Sequence, residues 1–135
     1  MYPEEYRNKQ DIFYRLLFEG LGMKLVNLAP HELRFFTTEG DLIKLSPSGV
    51  VARVDTHAKK IKDIDIGGTI LPIYSVTYSN VTHIPDPKPD VIYVVSSIVA
   101  MHANRDDVMS PNTSKETIIR DSNGYLIGVN SLQTF

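Results

Sequence analysis

The densest polar chemistry in the sequence lies between Ser96 and Ser110. A β-branched and aromatic run, Val91 to Val95, gives way to Ser96-Ser97 and then to Ile98, Val99, Ala100, Met101, His102 and Ala103. That pattern predicts a strand running into a short helix over Ser96 to Asn104, capped by Ser96 or Ser97. A helix N-terminus flanked by serine hydroxyls is a geometry that holds anions such as phosphate. Beyond it, Asn104-Arg105-Asp106-Asp107 sets an amide, a planar cation and two carboxylates within four residues. Arg105 could fork onto a phosphate or stack on a base, while Asp107 and its neighbour could accept ribose hydroxyl or adenine amino protons. The plainer alternative is a salt bridge between Arg105 and an aspartate that closes a loop.

Two residues elsewhere could complete such a site. Arg53 interrupts the apolar stretch Val50 to Val54, where a basic side chain lines a pocket or snorkels at a rim. Tyr78 ends the expected strand Ile73 to Tyr78, and an aromatic there is either a stacking platform for a base or a cap on the core with a wet hydroxyl. Other chemistry is poorly supported. His31, His57, His83 and His102 are far apart, with no HxH or HExxH pairing to set two ligands on one face. No GxSxG elbow is present, so a triad of Ser96, His102 and Asp106 or Asp107 would depend wholly on tertiary placement. Asp106 and Asp107 could act as acid and base, but adjacent side chains point apart. Neither GxGxxG nor a Walker loop occurs, which disfavours a dinucleotide fold or a nucleoside triphosphatase.

The elements that position these residues are mostly strands. Pro3, Glu4 and Glu5 with Tyr6, Phe13, Leu16 and Leu17 predict an N-terminal helix over Tyr2 to Glu19, stopped by Gly20 and Gly22. Strands are predicted at Lys24 to Leu28, Leu33 to Thr37, Leu42 to Leu45, Val50 to Val54, Thr69 to Tyr78 and Val91 to Val95. Thr38 to Asp41 and Ser46 to Gly49 are tight-turn candidates that suggest antiparallel neighbours, and Gly67-Gly68 is a turn or hinge. Lys59 to Ile66 alternates charged residues with isoleucines, as an edge strand or solvated ribbon does. Pro85 to Pro89 is a stiff extended connector. Thr117 to Arg120 and Tyr125 to Val129 flank Asp121-Ser122-Asn123-Gly124 as a closing hairpin. The expectation is a single α+β domain over 1–135, a mainly antiparallel β-sheet with an N-terminal helix (residues 1–20), a β-rich body (24–132) and a short helix after a late strand.

Composition sets the outer limits. With 135 residues, 42% hydrophobic and 22% charged, the chain can bury one core without staples. Fourteen basic and sixteen acidic residues give a net charge of −2, which offers no field for nucleic acid or an anionic membrane. Zero cysteines exclude disulfides, thiolate metal sites and thiol nucleophiles, and fit a cytoplasmic location. No signal peptide or membrane span is legible.

Several segments together resemble a known family. Leu25-Val26-Asn27-Leu28-Ala29-Pro30-His31, Val51-Ala52-Arg53-Val54 after a Pro-Ser-Gly turn, and Val91 to Ser97 through Arg105-Asp106-Asp107 to Pro111 form one pattern with Ile119-Arg120-Asp121, Gly124 and Ile127-Gly128-Val129. It covers most of residues 24–132 and resembles the first-described Thoeris anti-defence proteins of bacteriophages, sponges for cyclic ADP-ribose signals. The alternative resemblance is to a related small phage protein family of unknown function. The resemblance implies a homo-oligomer that binds a cyclic ADP-ribose isomer at a subunit boundary in the host cytoplasm, without cleaving it and without a cofactor. It implies a ligand site of Arg53 and Arg105 on the pyrophosphate, Tyr78 stacked on adenine where the family has phenylalanine, and Ser96, Asn104 and Asp107 on hydroxyl and amino groups. The rival readings are a structural or virion-associated protein built for protein contacts, and a nucleotide-signal hydrolase using Asp106, Asp107 and a histidine.

Overall fold

The computed structural model describes residues 22–135; the helix expected over Tyr2 to Glu19 lies outside them. The strands are β1 (Lys24–Asn27), β2 (Leu33–Phe36), β3 (Leu42–Leu45), β4 (Arg53–Ile66), β5 (Thr69–Thr82) and β6 (Val91–Val94). After helix α1 (Ser97–Ala103) come β7 (Val108–Pro111), β8 (Ile118–Arg120), β9 (Leu126–Val129) and β10 (Leu132–Gln133). They form three sheets, ordered β1-β6-β7-β10, β3-β2-β9-β8 and β4-β5.

The first sheet is buried on both faces. In β6, Val91, Tyr93 and Val95 turn to one side and Ile92 and Val94 to the other, the period of two that a strand imposes. The first set packs with Val26, Leu28 and Val108 against Val99 and Ala100 of α1 and against Val54, Val81 and Ile84 at the root of β4 and β5. The second packs with Leu25 and Leu132 against Leu33, Phe35, Leu45 and Val129 of the second sheet. Three layers result: helix with hairpin root, central sheet, second sheet. Strands covered on both sides can run parallel, because backbone pairing is complete without a wet face. Here β1 with β6, and β6 with β7, are parallel, α1 making the β6-to-β7 crossover.

This overturns the expected α+β class with a mainly antiparallel sheet and an N-terminal helix. The described chain is mostly β, divided among several sheets, and its one helix sits mid-chain. The central pairings are parallel, and β2 also meets β9 in parallel, at Phe35 and Val129. The helix after the late strand is present, with Ser96 as its N-cap. The turn at Thr38 to Asp41 does join antiparallel neighbours, β2 and β3. The Ser46 to Gly49 turn does not: it carries the chain from the second sheet to the hairpin, tied down by Ser48 N–H donating to the Asn27 carbonyl at 3.0 Å.

The largest departure is the hairpin itself. Val50 to Val54 and Lys59 to Ile66, expected as separate segments, belong largely to one 14-residue strand that begins at Arg53. It pairs antiparallel with the 14 residues of β5 through a Gly67-Gly68 turn, both glycines at positive φ as a two-residue hairpin loop requires. Each strand spans roughly 45 Å. Beyond the root almost every residue is exposed, so this is an arm and not a layer.

Gly128 marks the tightest approach between β2 and β9. A Cβ there would lie 2.9 Å from the Arg34 carbonyl oxygen and 2.9 Å from the Phe36 ring. Gly128→Ala is expected to lower the unfolding free energy by about 1–3 kcal/mol through overpacking, measured as a lower urea midpoint; an unchanged midpoint would show that the two strands separate without cost.

Candidate functional site

Two polar centres flank α1, and the residues expected to form one site divide between them. The first is an open-mouthed cavity of about 450 Å³ bordered by the β1–β2 connection, the start of β4, the beginning of α1 and the segment after β7. Its walls are mainly apolar, from Leu28, Leu33, Val51, Val95 and Val99, and its polar rim carries Arg53, Ser96, Ser97, His31 and Thr113. Arg53 opens β4 and is exposed, so it stands at the mouth and does not interrupt a strand. Among the described residues no ion pair or side-chain hydrogen bond engages its guanidinium. Ser96 has the extended backbone of an N-cap, φ −65° and ψ 157°, and its hydroxyl accepts weakly from Val99 N–H at 3.4 Å.

One wall of this cavity, the connection Leu28 to His31, is held in place by Asn27, a residue the sequence analysis left without a role. Asn27 is buried at the end of β1; its side-chain N–H groups donate to the carbonyls of His31 at 2.9 Å and Leu45 at 3.0 Å, and its Oδ1 accepts from Ala29 N–H at 2.8 Å. Three bonds thus hold the connection Leu28 to His31 in one shape and pin it to β3. The legible signal was a polar residue at the end of an apolar strand, three residues before a proline.

The second centre lies beyond the other end of α1. Asn104 closes the helix in the left-handed conformation, φ 51°, a position that suits asparagine. Arg105 forks onto Asp107, Nε to Oδ1 at 2.9 Å and Nη2 to Oδ2 at 2.7 Å, with its guanidinium carbon 5.7 Å from the centre of the Tyr93 ring. Tyr93 is itself buried, and its hydroxyl donates to the Asp86 carbonyl at 3.0 Å, tying the proline-rich connector to the sheet. The plain salt bridge considered from the sequence is therefore present, and it closes the loop into β7. The Arg105 hydrogen bond holds the Asp107 carboxyl below its ordinary pKa, and Asp107 raises that of Arg105.

Tyr78 does not end β5 but sits within it, paired with Thr56, its ring 5.2 Å from that of His102 on α1. His102 Nδ1 donates to the Ile98 carbonyl at 2.9 Å, which fixes the ring's orientation. Tyr78, Asn104, Arg105 and Asp107 do not line the cavity that holds Arg53 and Ser96. Within one protomer, the two arginines occupy different centres.

His57 is engaged with Ser79 across the arm at 2.8 Å, and among the described residues no cluster of three histidines or acids is placed to hold a metal ion. No helix among the described residues is long and apolar enough to cross a membrane. A smaller groove of about 250 Å³ adjoins the cavity, sharing His31, Leu33, Pro111 and Thr113 with it.

Comparison with protein-family models, with curated proteins and with solved structures returns no match in any of the three.

The fork at Arg105 carries a pH signature. Because the folded pKa of Asp107 is lowered, its contribution to stability is present above the unfolded carboxylate value near 3.9 and is lost as pH falls through the folded value. Asp107→Asn is expected to cost about 1–3 kcal/mol at neutral pH. In thermal melts the gap from the parent should narrow below about pH 4; a gap constant with pH would mean that the charge of Asp107 contributes nothing.

Proposed function

We propose that this protein binds a small pyrophosphate-containing nucleotide of the cyclic ADP-ribose type and sequesters it unchanged, in the manner of the phage anti-defence sponges its sequence resembles, as a homo-oligomer in the cytoplasm. The observation that carries the reading is an arginine with no side-chain partner among the described residues, at the mouth of an apolar-walled cavity of about 450 Å³, a size and lining suited to a nucleotide-sized guest. The apolar wall takes the base and excludes water, and Arg53 meets the phosphates with charge-assisted hydrogen bonds. The serine hydroxyls and Thr113 supply hydroxyl-matching groups at the rim.

Arg105 enters this reading through assembly. Its fork is satisfied by Asp107, so a phosphate would share the outward N–H groups instead of finding a free cation, and it lies at the far end of α1 from Arg53. One pocket holding both arginines therefore needs a second copy to bring the Tyr78–His102 and Arg105 end of one protomer to the cavity mouth of another. Sequestration acts by mass action: nanomolar affinity corresponds to about 12 kcal/mol, within reach of a preorganised pocket with one stack and two arginine–phosphate contacts.

A second reading, a structural protein whose business is protein contact, draws on the exposed arm. The two separate in one experiment. After incubation with cyclic ADP-ribose isomers, removal of unbound ligand and heat release, chromatography is expected to recover intact ligand. Altered ligand would make the protein an enzyme, and no retained ligand would favour the structural reading. Arg53→Ala is the clean variant because, among the described residues, no ion pair or hydrogen bond engages the Arg53 side chain: retention should fall about tenfold to a hundredfold with an unchanged melting temperature. Undiminished retention would remove the cavity mouth from the site.

A further inference from the structure

The cavity carries a second basic group besides Arg53, and the fold ties the two to one short stretch of backbone. Asn27 holds the His31 carbonyl through its side chain at 2.9 Å, and its neighbour Leu28 accepts from Ala52 N–H at 3.0 Å, one residue before Arg53. His31 and Arg53 thus line adjoining walls of the same cavity, and both are exposed. Among the described residues no ion pair or hydrogen bond engages the His31 imidazole or the Arg53 guanidinium.

The cavity borders contain no acidic residue to balance these groups. His31 also borders the smaller groove, so the charges around it are few. Arg53 stands on the β4 side. On its own side, Glu32 borders the groove but not the cavity, and its carboxylate is paired with Arg34 at 3.5 Å. The start of α1 offers Ser96 and Ser97, the segment after β7 offers Pro111 and Thr113, and β9 offers Leu126 to Val129, none of them charged. Two basic side chains beside apolar walls, with no carboxylate opposite, make a mouth that favours an anion.

We propose that His31 is a second phosphate-binding residue, acting with Arg53 as a two-cation clamp on a pyrophosphate group, and that affinity rises with its protonation. This rests on the cavity being the ligand site proposed above and names which of its groups meet the charge. A neutral imidazole offers one donor, whereas a protonated one offers a donor with charge behind it. By linkage the anion and the proton then favour each other's binding. The charge match is completed within one chain, two cations against two phosphates, whatever a second copy adds at the mouth.

Calorimetric titration of the full-length chain with a cyclic ADP-ribose isomer, whose phosphates keep their charge throughout, is expected to show affinity falling about tenfold between about pH 6 and about pH 8, where histidine changes charge. His31→Gln keeps a donor but carries no charge. Its affinity should be flat with pH and match the parent at the upper end, with an unchanged melting temperature. His31→Lys should be flat and match the parent at the lower end, because its charge persists. A parent affinity that ignores pH, a slope that survives in His31→Gln, or weak binding by His31→Lys at both ends would each overturn the clamp. Inorganic pyrophosphate separates this inference from the sponge reading. That probe titrates in the same range, so its pH response is read as the difference between the parent and His31→Gln. A difference with pyrophosphate but no retention of the cyclic nucleotide leaves the clamp standing and removes the sponge. Retention of the nucleotide with no slope that depends on His31 does the reverse, and binding of neither probe removes both.

Discussion

Everything in this molecule is arranged around a central sheet with no wet face. Because β6 is covered by α1 and the arm root on one side and by the second sheet on the other, each of its residues must be apolar or find a partner within the protein. Tyr93 shows the rule at work: a ring buried under Arg105, its one polar atom spent on the Asp86 carbonyl. The same demand explains Asn27, whose amide satisfies backbone groups at a point where β1 ends, the chain turns and the second sheet begins. A polar side chain that saturates its bonds in this way fixes a loop more firmly than apolar packing could, and that loop is a wall of the cavity.

The two polar centres owe their separation to α1. At about 1.5 Å per residue its seven residues set the N-cap serine and the C-terminal Arg105 loop about 10 Å apart. A guest touching both within one protomer would have to run the length of the helix. In the proposed oligomer a second chain would remove that requirement, because the far end of one could face the near end of the other. Charge distribution agrees with this division of labour. Arg105 is spent on holding a loop in shape, whereas Arg53 is held out at a rim with no ion pair among the described residues.

Much of the architecture was legible in the residues. The β-branched runs located most strands, Ser96 declared the helix start, and Asp121 to Gly124 declared the last hairpin, in which Asp121 Oδ1 accepts from Asn123 and Tyr125 N–H. Strand direction was not legible, since the Val91 to Val95 pattern of unbroken apolar residues is common to buried strands of either sense. The arm was hidden for a different reason: charged residues in Lys59 to Ile66 read as an edge, and the sequence does not say that the edge belongs to a strand already begun at Arg53. β7 and β10 were missed because they are short and depend on the sheet they join. Of the candidate site, Arg53, Ser96 and Arg105 were singled out by type, but which of them share a cavity depends on which end of α1 each occupies.

The order of the central sheet also bears on how the chain acquires its shape. Leu25 of β1 finds its neighbour in Ile92 of β6, with the second sheet's first two strands and the whole arm intervening in sequence. The arm closes on itself through a two-residue loop and can zip in microseconds, whereas joining β1 to β6 must first overcome the entropy of a long closure. Closing the arm is therefore the fast, local step and joining β1 to β6 the slow one, which waits until β6 has been made and the chain's distant halves can meet.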